Sequence, residues 1–569
     1  MSKKRSFLSI MLTLALMLAL FTSTVSAAAN QDENVQKVNQ QEKSIQSYVN
    51  AMQPGWNLGN TFDALGSDET AWGNPRVTKE MINQIAAQGF KSIRIPITWM
   101  QHAGPGPDYT IDPAWMNRVQ EVVDWSLDAG LYVMINLHHD SWMWVNTMGT
   151  NHDPVLAEYQ AAWTQIANHF KKYPNKLMFE SINEPSFNVD RASQFKLLEE
   201  LNTAFHKIVR ESGGKNAVRP LVLPTLWTNA GQEHLDSLTN TIAKLNDPNL
   251  IATIHYYGFW PFSVNIAGFT KFDETTKNDI ITNADRIYDS LVAKGIPVIM
   301  GEFGLLGFDQ NTGTIEHGEM LKFFEFLLHY TQSKNITHML WDNGQHFNRN
   351  TFMWADQELY DMMKASWKGR SSTAETDLIY IKKGAAIQDA VIKLNLNGNA
   401  LKAIRAGADK LRLGTDYELN GDVLTVKASL LSKLTATGQF GENAVLTAKF
   451  NSGADWHFDV LYYDTPKLQN VEGTTGDFAI PTAFNGDRLA TMEAVYATGG
   501  NAGPQNWTSF KEFAYTFEPS YDTNQIKLKP NFFNEVNDGV VQLKFHFWSG
   551  EIVNYTITKN GASIVGEAS

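Results

Sequence analysis

Two glutamates close apolar runs in this chain. Glu184 ends Leu177-Met178-Phe179-Glu180-Ser181-Ile182-Asn183-Glu184-Pro185, and Glu302 lies in Pro297-Val298-Ile299-Met300-Gly301-Glu302-Phe303-Gly304. A carboxylate in apolar surroundings is costly unless it is paired, so two placed this way call for a chemical reason. Paired carboxyl groups flanking a sugar ring are the apparatus of glycoside hydrolysis, one protonating the leaving oxygen while the other attacks or activates water. The ends of other apolar runs are just as reactive in type: Asn57 and Asn60, Arg94 and Trp99, His138-His139, Asn183, Trp227, His255 and Tyr257, and Trp341. Each can donate, accept, titrate or stack.

Something must bring these residues to one place. The runs Gly55–Asn60, Ser92–Trp99, Leu131–His138, Leu177–Glu184, Leu221–Thr225, Leu250–Tyr257, Pro297–Glu302 and His338–Asp342 read as strands. Helical patterns separate them, among them Lys79–Gln88, Trp115–Ala129, Tyr159–Lys172 and Gln194–Ser212. Eight strands alternating with helices over about 300 residues is the signature of a (β/α)8 TIM barrel, whose reactive groups gather at the C-terminal strand ends. A doubly wound open sheet has the same alternation, but no Gly-x-Gly-x-x-Gly turn follows an early strand.

The chain has 569 residues, too many for one core. With 47 Lys and Arg against 60 Asp and Glu, its net charge of −13 opposes nucleic acid or anionic membrane as partner and suits a neutral polymer. There is no cysteine, hence no disulfide, thiolate nucleophile or zinc–thiolate site. Lys3, Lys4 and Arg5 precede an apolar run from Phe7 to Phe21 and then Val25-Ser26-Ala27, the pattern of a signal peptide over residues 1–28. That pattern predicts secretion, with no membrane attachment of the mature chain, and residues 29–49 read as a polar leader. The run is too short for the roughly 20 residues of a membrane span.

Thirteen of the 16 tryptophans lie at or before Trp367, which marks a boundary near residue 370. Residues 50–370 form the expected barrel. Residues 371–464 carry alternating runs such as Ile379–Ile381, Val391–Leu396, Tyr417–Leu419, Val423–Val426, Asn443–Phe450 and Trp456–Tyr463, with turns at Asn397-Gly398 and Asn420-Gly421. This spacing predicts an immunoglobulin-like β-sandwich. A second β-sandwich is expected over residues 465–569, after the joint Asp464-Thr465-Pro466. Both joints are too short to act as flexible tethers.

Gly55-Trp56-Asn57-Leu58-Gly59-Asn60, Arg94-Ile95-Pro96, Leu137-His138-His139, Asn183-Glu184-Pro185, His255-Tyr256-Tyr257, Gly301-Glu302-Phe303-Gly304 and Trp341 together resemble glycoside hydrolase family 5, retaining β-glycanases on a (β/α)8 barrel. The resemblance is nearest to bacterial endo-β-1,4-glucanases, a branch that often accepts several β-glucans, which implies cellulose as substrate, with mixed-linkage glucan and xyloglucan beside it. It implies Glu184 as acid/base and Glu302 as nucleophile, with Arg94, His138, Asn183, His255 and Tyr257 supporting them. Asn183 matches the position that binds the sugar 2-hydroxyl, and Trp341 the aromatic floor at the cleavage point. Asn57, His139, Trp72, Trp142, Trp227 and Trp260 are expected to contact substrate. The acid should have a raised pKa, from apolar walls and the charge of Glu302.

The middle segment resembles the X2 modules of cellulases and reads as a spacer. The last resembles carbohydrate-binding module family 46, with Trp507 and Trp548 its leading sugar platforms and Phe510 and Tyr515 behind them. No cofactor and no metal is expected: the His138-His139-Asp140 triplet lacks zinc-site spacing. The expected state is a monomer. A β-mannanase of the same mechanism, or a non-catalytic glycan-binding barrel, would share much of this pattern.

Overall fold

The computed structural model describes residues 45–569, so the signal peptide and most of the polar leader lie outside the described residues. Eight parallel strands close into a barrel in sequence order: β1 (Gly55–Asn57), β2 (Ser92–Ile95), β3 (Tyr132–Asn136), β4 (Leu177–Glu180), β5 (Leu221–Pro224), β6 (Leu250–Tyr256), β7 (Val298–Phe303) and β8 (Ile336–Leu340). Almost every strand residue is buried, because strands covered by helices outside and by side-chain layers inside read as continuous apolar runs. The helices start where capping chemistry dictates. Thr78 accepts from Met81 N ahead of Lys79–Ala87, and Asp190 accepts from Ser193 N ahead of Arg191–Glu211.

All the strands but β7 stop short of the sequence reading at their C-terminal ends. β4 stops at Glu180, so Glu184 stands four residues beyond it, in the loop. The leader reading also needs correction. Residues 45–51 are helical, and Ile45, Val49 and Met52 pack with Met134, Met178, Val222, Ile251, Ile299 and Met339 at the lower end of the barrel. Thr337 Oγ1 donates to Val49 O at 2.8 Å, and Ser92 Oγ to Met52 O at 2.7 Å. This stretch seals the barrel floor.

Two β-sandwiches follow. The first pairs a five-stranded sheet built on Gly441–Phe450 and Trp456–Tyr463 with a four-stranded sheet built on Ala390–Asn395 and Val423–Val426. At its Asn397-Gly398 turn both residues have positive φ, 51° and 86°, which lets the chain leave Ala390–Asn395 of one sheet and cross to Leu401–Ala406 of the other. The second pairs a four-stranded sheet containing Phe478–Ala483 with a five-stranded sheet containing Gly539–Phe547 and Ile552–Asn560. One apolar cluster runs unbroken from the barrel into the middle sandwich, where it includes Ile379, Ile381 and Trp456. The last sandwich has its own cluster. It docks on the barrel through polar ties: Asn265 Nδ2 donates to Ala490 O at 2.9 Å, and Phe513 N to Asn265 O at 3.2 Å.

Candidate active site

Arg94 organises the mouth of the barrel. Its fully buried guanidinium donates from Nε to Glu180 Oε2 at 2.8 Å, from Nη1 to Glu302 Oε1 at 2.6 Å and Asn57 Oδ1 at 3.0 Å, and from Nη2 to Asn183 Oδ1 at 2.8 Å. Burial alone would depress the guanidinium, but the charges of Glu180 and Glu302 outweigh it and push its pKa up. Arg94 is therefore a permanent cation.

Glu302 reaches the mouth because β7 bulges. Ile254 pairs with Met300, but His255 pairs with Glu302, so Gly301 is the extra residue that turns the carboxylate inward. Tyr257 OH donates to Glu302 Oε2 at 2.7 Å. Burial and then the charges of Glu302, Asp309 and Glu184 push that phenol well above its usual value, so it stays a donor. Glu302 thus accepts on both oxygens.

Glu184 is aimed by backbone strain. Its φ is +39°, in the left-handed region that a non-glycine residue adopts at a cost of about 1–3 kcal/mol, and such strain gathers at functional sites. Its Oε1 lies 2.8 Å from His255 Nδ1, which is also 3.5 Å from Glu302 Oε2. One oxygen of Glu184 and one of Glu302 lie within 4.8 Å of each other. The expected raised pKa is absent in the open cleft. Burial does push the Glu184 carboxyl up, but the His255 hydrogen bond, with the charges of His255, Arg94 and His139, holds it below the usual value.

The histidines differ in wiring. Asn136 Oδ1 accepts from Ile97 N at 3.1 Å, which leaves Asn136 Nδ2 to donate to His138 Nδ1 at 3.1 Å and Glu180 Oε2 at 2.9 Å. The His138 hydrogen therefore sits on Nε2, 4.0 Å from Glu302 Oε1. Burial first, then His139, Arg94 and His255, hold His138 well below the usual histidine range, so it is neutral. His139 Nδ1 accepts from Trp142 Nε1 at 2.8 Å, and its Nε2 faces Asp63 at 3.5 Å. Asp63, His138 and His139 offer atoms within 4.8 Å of one another, but the hydrogen on His138 Nε2 leaves no free lone pair there for a metal.

Of the residues expected at substrate, Asn57 is not available. It is fully buried, and its amide donates to Gly301 O, Met339 O and Leu340 O while accepting from Arg94. It ties β1 to β7 and β8. Trp341 lies parallel to His138, with ring planes 4° apart, and a Cβ on Gly59 would sit 2.8 Å from its ring. Only glycine fits beneath that tryptophan. Trp72, Trp142, Trp227 and Trp260 are 41–48% exposed around the rim, with Trp72 5.3 Å from the His139 ring.

Trp507 of the last sandwich is 59% exposed, and its ring lies 6.4 Å from that of Trp260 across the module boundary. Trp548 does not join it. It is half-buried in a turn beside Arg488 and Glu551, which pair with Asp459 and Lys382 of the middle sandwich. Phe510 packs by its ring against the Gly268 position and against His546, and Tyr515 is 37% exposed. Sequence reading passed over Asn136, whose only signal was an amide two residues before a histidine pair. Glu180 reads from the sequence as buried structure or a strand-end salt bridge, and it is both, fully buried and paired with Arg94 at 2.8 Å.

The cellulase family, glycosyl hydrolase family 5, matches residues 49–347. The chain belongs to that family. In this cellulase, carbohydrate binding domain X2 matches residues 373–460 and a carbohydrate binding domain of the CBM46 type matches residues 464–567. The cellulase is 60% identical over 572 residues to endoglucanase B of Paenibacillus lautus, covering 100% of both chains. Its fold superposes on the full-length tri-modular endo-β-1,4-glucanase B from Bacillus halodurans with a TM-score of 0.91 and 61% identity, over 92% of this chain and 99% of that one. A tri-modular family 5, subfamily 4 endo-β-1,4-glucanase from Bacillus licheniformis, complexed with cellotetraose, gives 0.79 and 31% over the same shares.

Proposed function

We propose that this cellulase is an endo-β-1,4-glucanase that cleaves internal bonds of β-glucan with retention of configuration. The observation that carries the mechanism is the approach of Glu184 and Glu302 to within 4.8 Å. A retaining site needs its carboxyl groups about 5–5.5 Å apart, whereas an inverting site leaves about 6.5–9.5 Å for a water.

Glu302, accepting from Arg94 and Tyr257, is the nucleophile at the anomeric carbon. Glu184 gives its proton to the leaving oxygen and then takes one from the water that releases the glycosyl-enzyme. Its side chain is 46% exposed in the open cleft. A bound glucan displaces the water around it, which strengthens desolvation and favours the protonated acid. Asn183 Oδ1 is occupied by Arg94, so its Nδ2 is turned outward as the donor to a sugar hydroxyl. Trp341 offers its face to the ring above. Trp260 and Trp507 extend the cleft onto the last sandwich, and the cellotetraose complex of the licheniformis relative supports a cello-oligosaccharide in that cleft. The pattern of residues 1–28 supports export of the enzyme.

Proton NMR of the first product of barley β-glucan or xyloglucan cleavage tests this reading. A β-anomer at early time, lost with Glu302→Gln and much reduced with Glu184→Gln, is expected; an α-anomer overturns it. Removal of residues 465–569 should weaken turnover of soluble glucan as well as insoluble cellulose if the module completes the cleft.

A further inference from the structure

Trp507 is carried by a loop with unusual support. No protein group among the described residues hydrogen-bonds its indole, so the ring goes where the backbone of residues 504–508 puts it. That backbone is held from beneath by Lys511, which is fully buried and donates from Nζ to Pro504 O at 3.0 Å and Thr508 O at 2.9 Å. The two carbonyls bracket Trp507. Lys511 N donates in turn to Met492 O at 2.8 Å, which anchors the lysine to the core strand Leu489–Tyr496.

A buried ammonium is an expensive choice. Burial pushes Lys511 down to about 8, and Glu535 only partly opposes this, from beyond ion-pair distance. An alkyl chain of similar volume would fill the space without desolvating a charge. What the ammonium supplies is two strong bonds to carbonyls that no alkyl chain can hold. Lighter ties assist it: Asn501 Nδ2 donates to Asn506 O at 2.8 Å, and Gln505 Nε2 to Glu512 Oε2 at 2.9 Å. The far end of the segment meets the barrel where Phe513 N donates to Asn265 O.

We propose that Lys511 is a positioning residue for glucan binding, its buried ammonium holding the 504–508 loop so that Trp507 stands opposite Trp260 at the end of the cleft. This rests on the reading that Trp507 contacts substrate. Lys511 itself touches no sugar and acts only through that ring.

The test is a double-mutant cycle on barley β-glucan with the full chain, reading KM and kcat separately. Losing one aromatic platform should raise KM about five- to tenfold, so Trp507→Ala sets the scale. Lys511→Met is expected to raise KM by a similar factor with kcat within about twofold, and the double variant to be no worse than Trp507→Ala alone. A KM increase that persists on the Trp507→Ala background, or a fall in kcat, makes Lys511 a mere core residue and overturns the proposal. Should Lys511→Met fail to fold, Asn501→Ala, at a half-exposed position, takes its place and must raise KM in the Trp507 background-dependent manner. An unchanged KM for Trp507→Ala instead defeats the underlying reading that this ring binds glucan.

Discussion

Asp377 of the middle sandwich meets Glu316 of the barrel at the start of the helix His317–Ser333. Glu316 caps that helix, accepting from Glu319 N at 3.1 Å, and the Asp377 carboxyl lies directly on Gly318. Neither Glu316 Oε1 nor Asp377 Oδ1 has a donor. The two carboxyls are within hydrogen-bond reach, so one shared proton satisfies both. Burial, then Asp377 and Glu319, push Glu316 well above the usual range. Burial pushes Asp377 up to about 6 against the hydrogen bond from Glu316, which lowers it, with Asp459 and Glu319 adding to the rise. Of the other groups facing the pair, Lys322 is bonded to Glu319 at 2.8 Å, Arg488 to Asp459 at 3.1 Å and His317 to Asp356 at 2.8 Å.

Both acids hold a proton more tightly when folded, so their stabilisation is complete below the unfolded value of 3.8 for Asp377 and is lost as pH rises through about 6. At about 1.36 kcal/mol per pKa unit, Asp377 accounts for about 3 kcal/mol. Asp377→Asn supplies an amide donor at every pH. The variant should match the wild type near pH 4 and exceed it at pH 8 by up to ~3 kcal/mol, ~6 °C in melting at about 2 °C per kcal/mol for a large unit. Scanning calorimetry across that range is the assay. A melting difference that stays constant with pH refutes the shared proton.

Gly318→Ala places a Cβ 2.5 Å from the Asp377 carboxyl, so it should lower the same transition by about 1–3 kcal/mol, and Asp377→Ala should relieve most of that loss. Arg94→Met leaves Glu180 and Glu302 unpaired; urea melts should show a loss of about 3–5 kcal/mol and kcat a fall of about 10²–10³. Trp341→Ala removes the floor of the cleft and should lower kcat/KM on barley β-glucan about tenfold, with little change in a urea melt.

The barrel was legible because its strands are buried on both sides and so write themselves as apolar runs between amphipathic helices. The two glutamates and their partners were legible because few reasons other than chemistry place such residues together at strand ends. Orientation was not. Asn57 shares a motif with residues that face the cleft, and only the three-dimensional count of its four hydrogen bonds shows it turned inward. The direction of the Glu184 shift depends on His255, 71 residues away, standing at 2.8 Å. Trp507 sits in the loop Gly503-Pro504-Gln505-Asn506-Trp507 and reads as the more exposed of the two, while Trp548 ends the Val541–Phe547 run and reads equally as core; the approach of Trp507 to Trp260 comes only from the docking of the module.

The apolar cluster that passes from the barrel into the middle sandwich alters what counts as a separable part. Sequence families divide the chain near residue 373, yet a cut there would bare the side chains on both sides of a continuous interior. Barrel and middle sandwich should therefore melt and refold as one cooperative body, and a chain ended at Arg370 should aggregate for reasons unrelated to catalysis. The natural point of exchange lies one module later, at Asp464-Thr465-Pro466, beyond which the last sandwich has a core of its own. Swapping glucan-binding specificity between such enzymes is then a matter of re-matching two polar seams, one around Asn265 of the barrel and one at the Arg488–Asp459 and Glu551–Lys382 pairs with the middle sandwich, while the first two modules are inherited as a single piece.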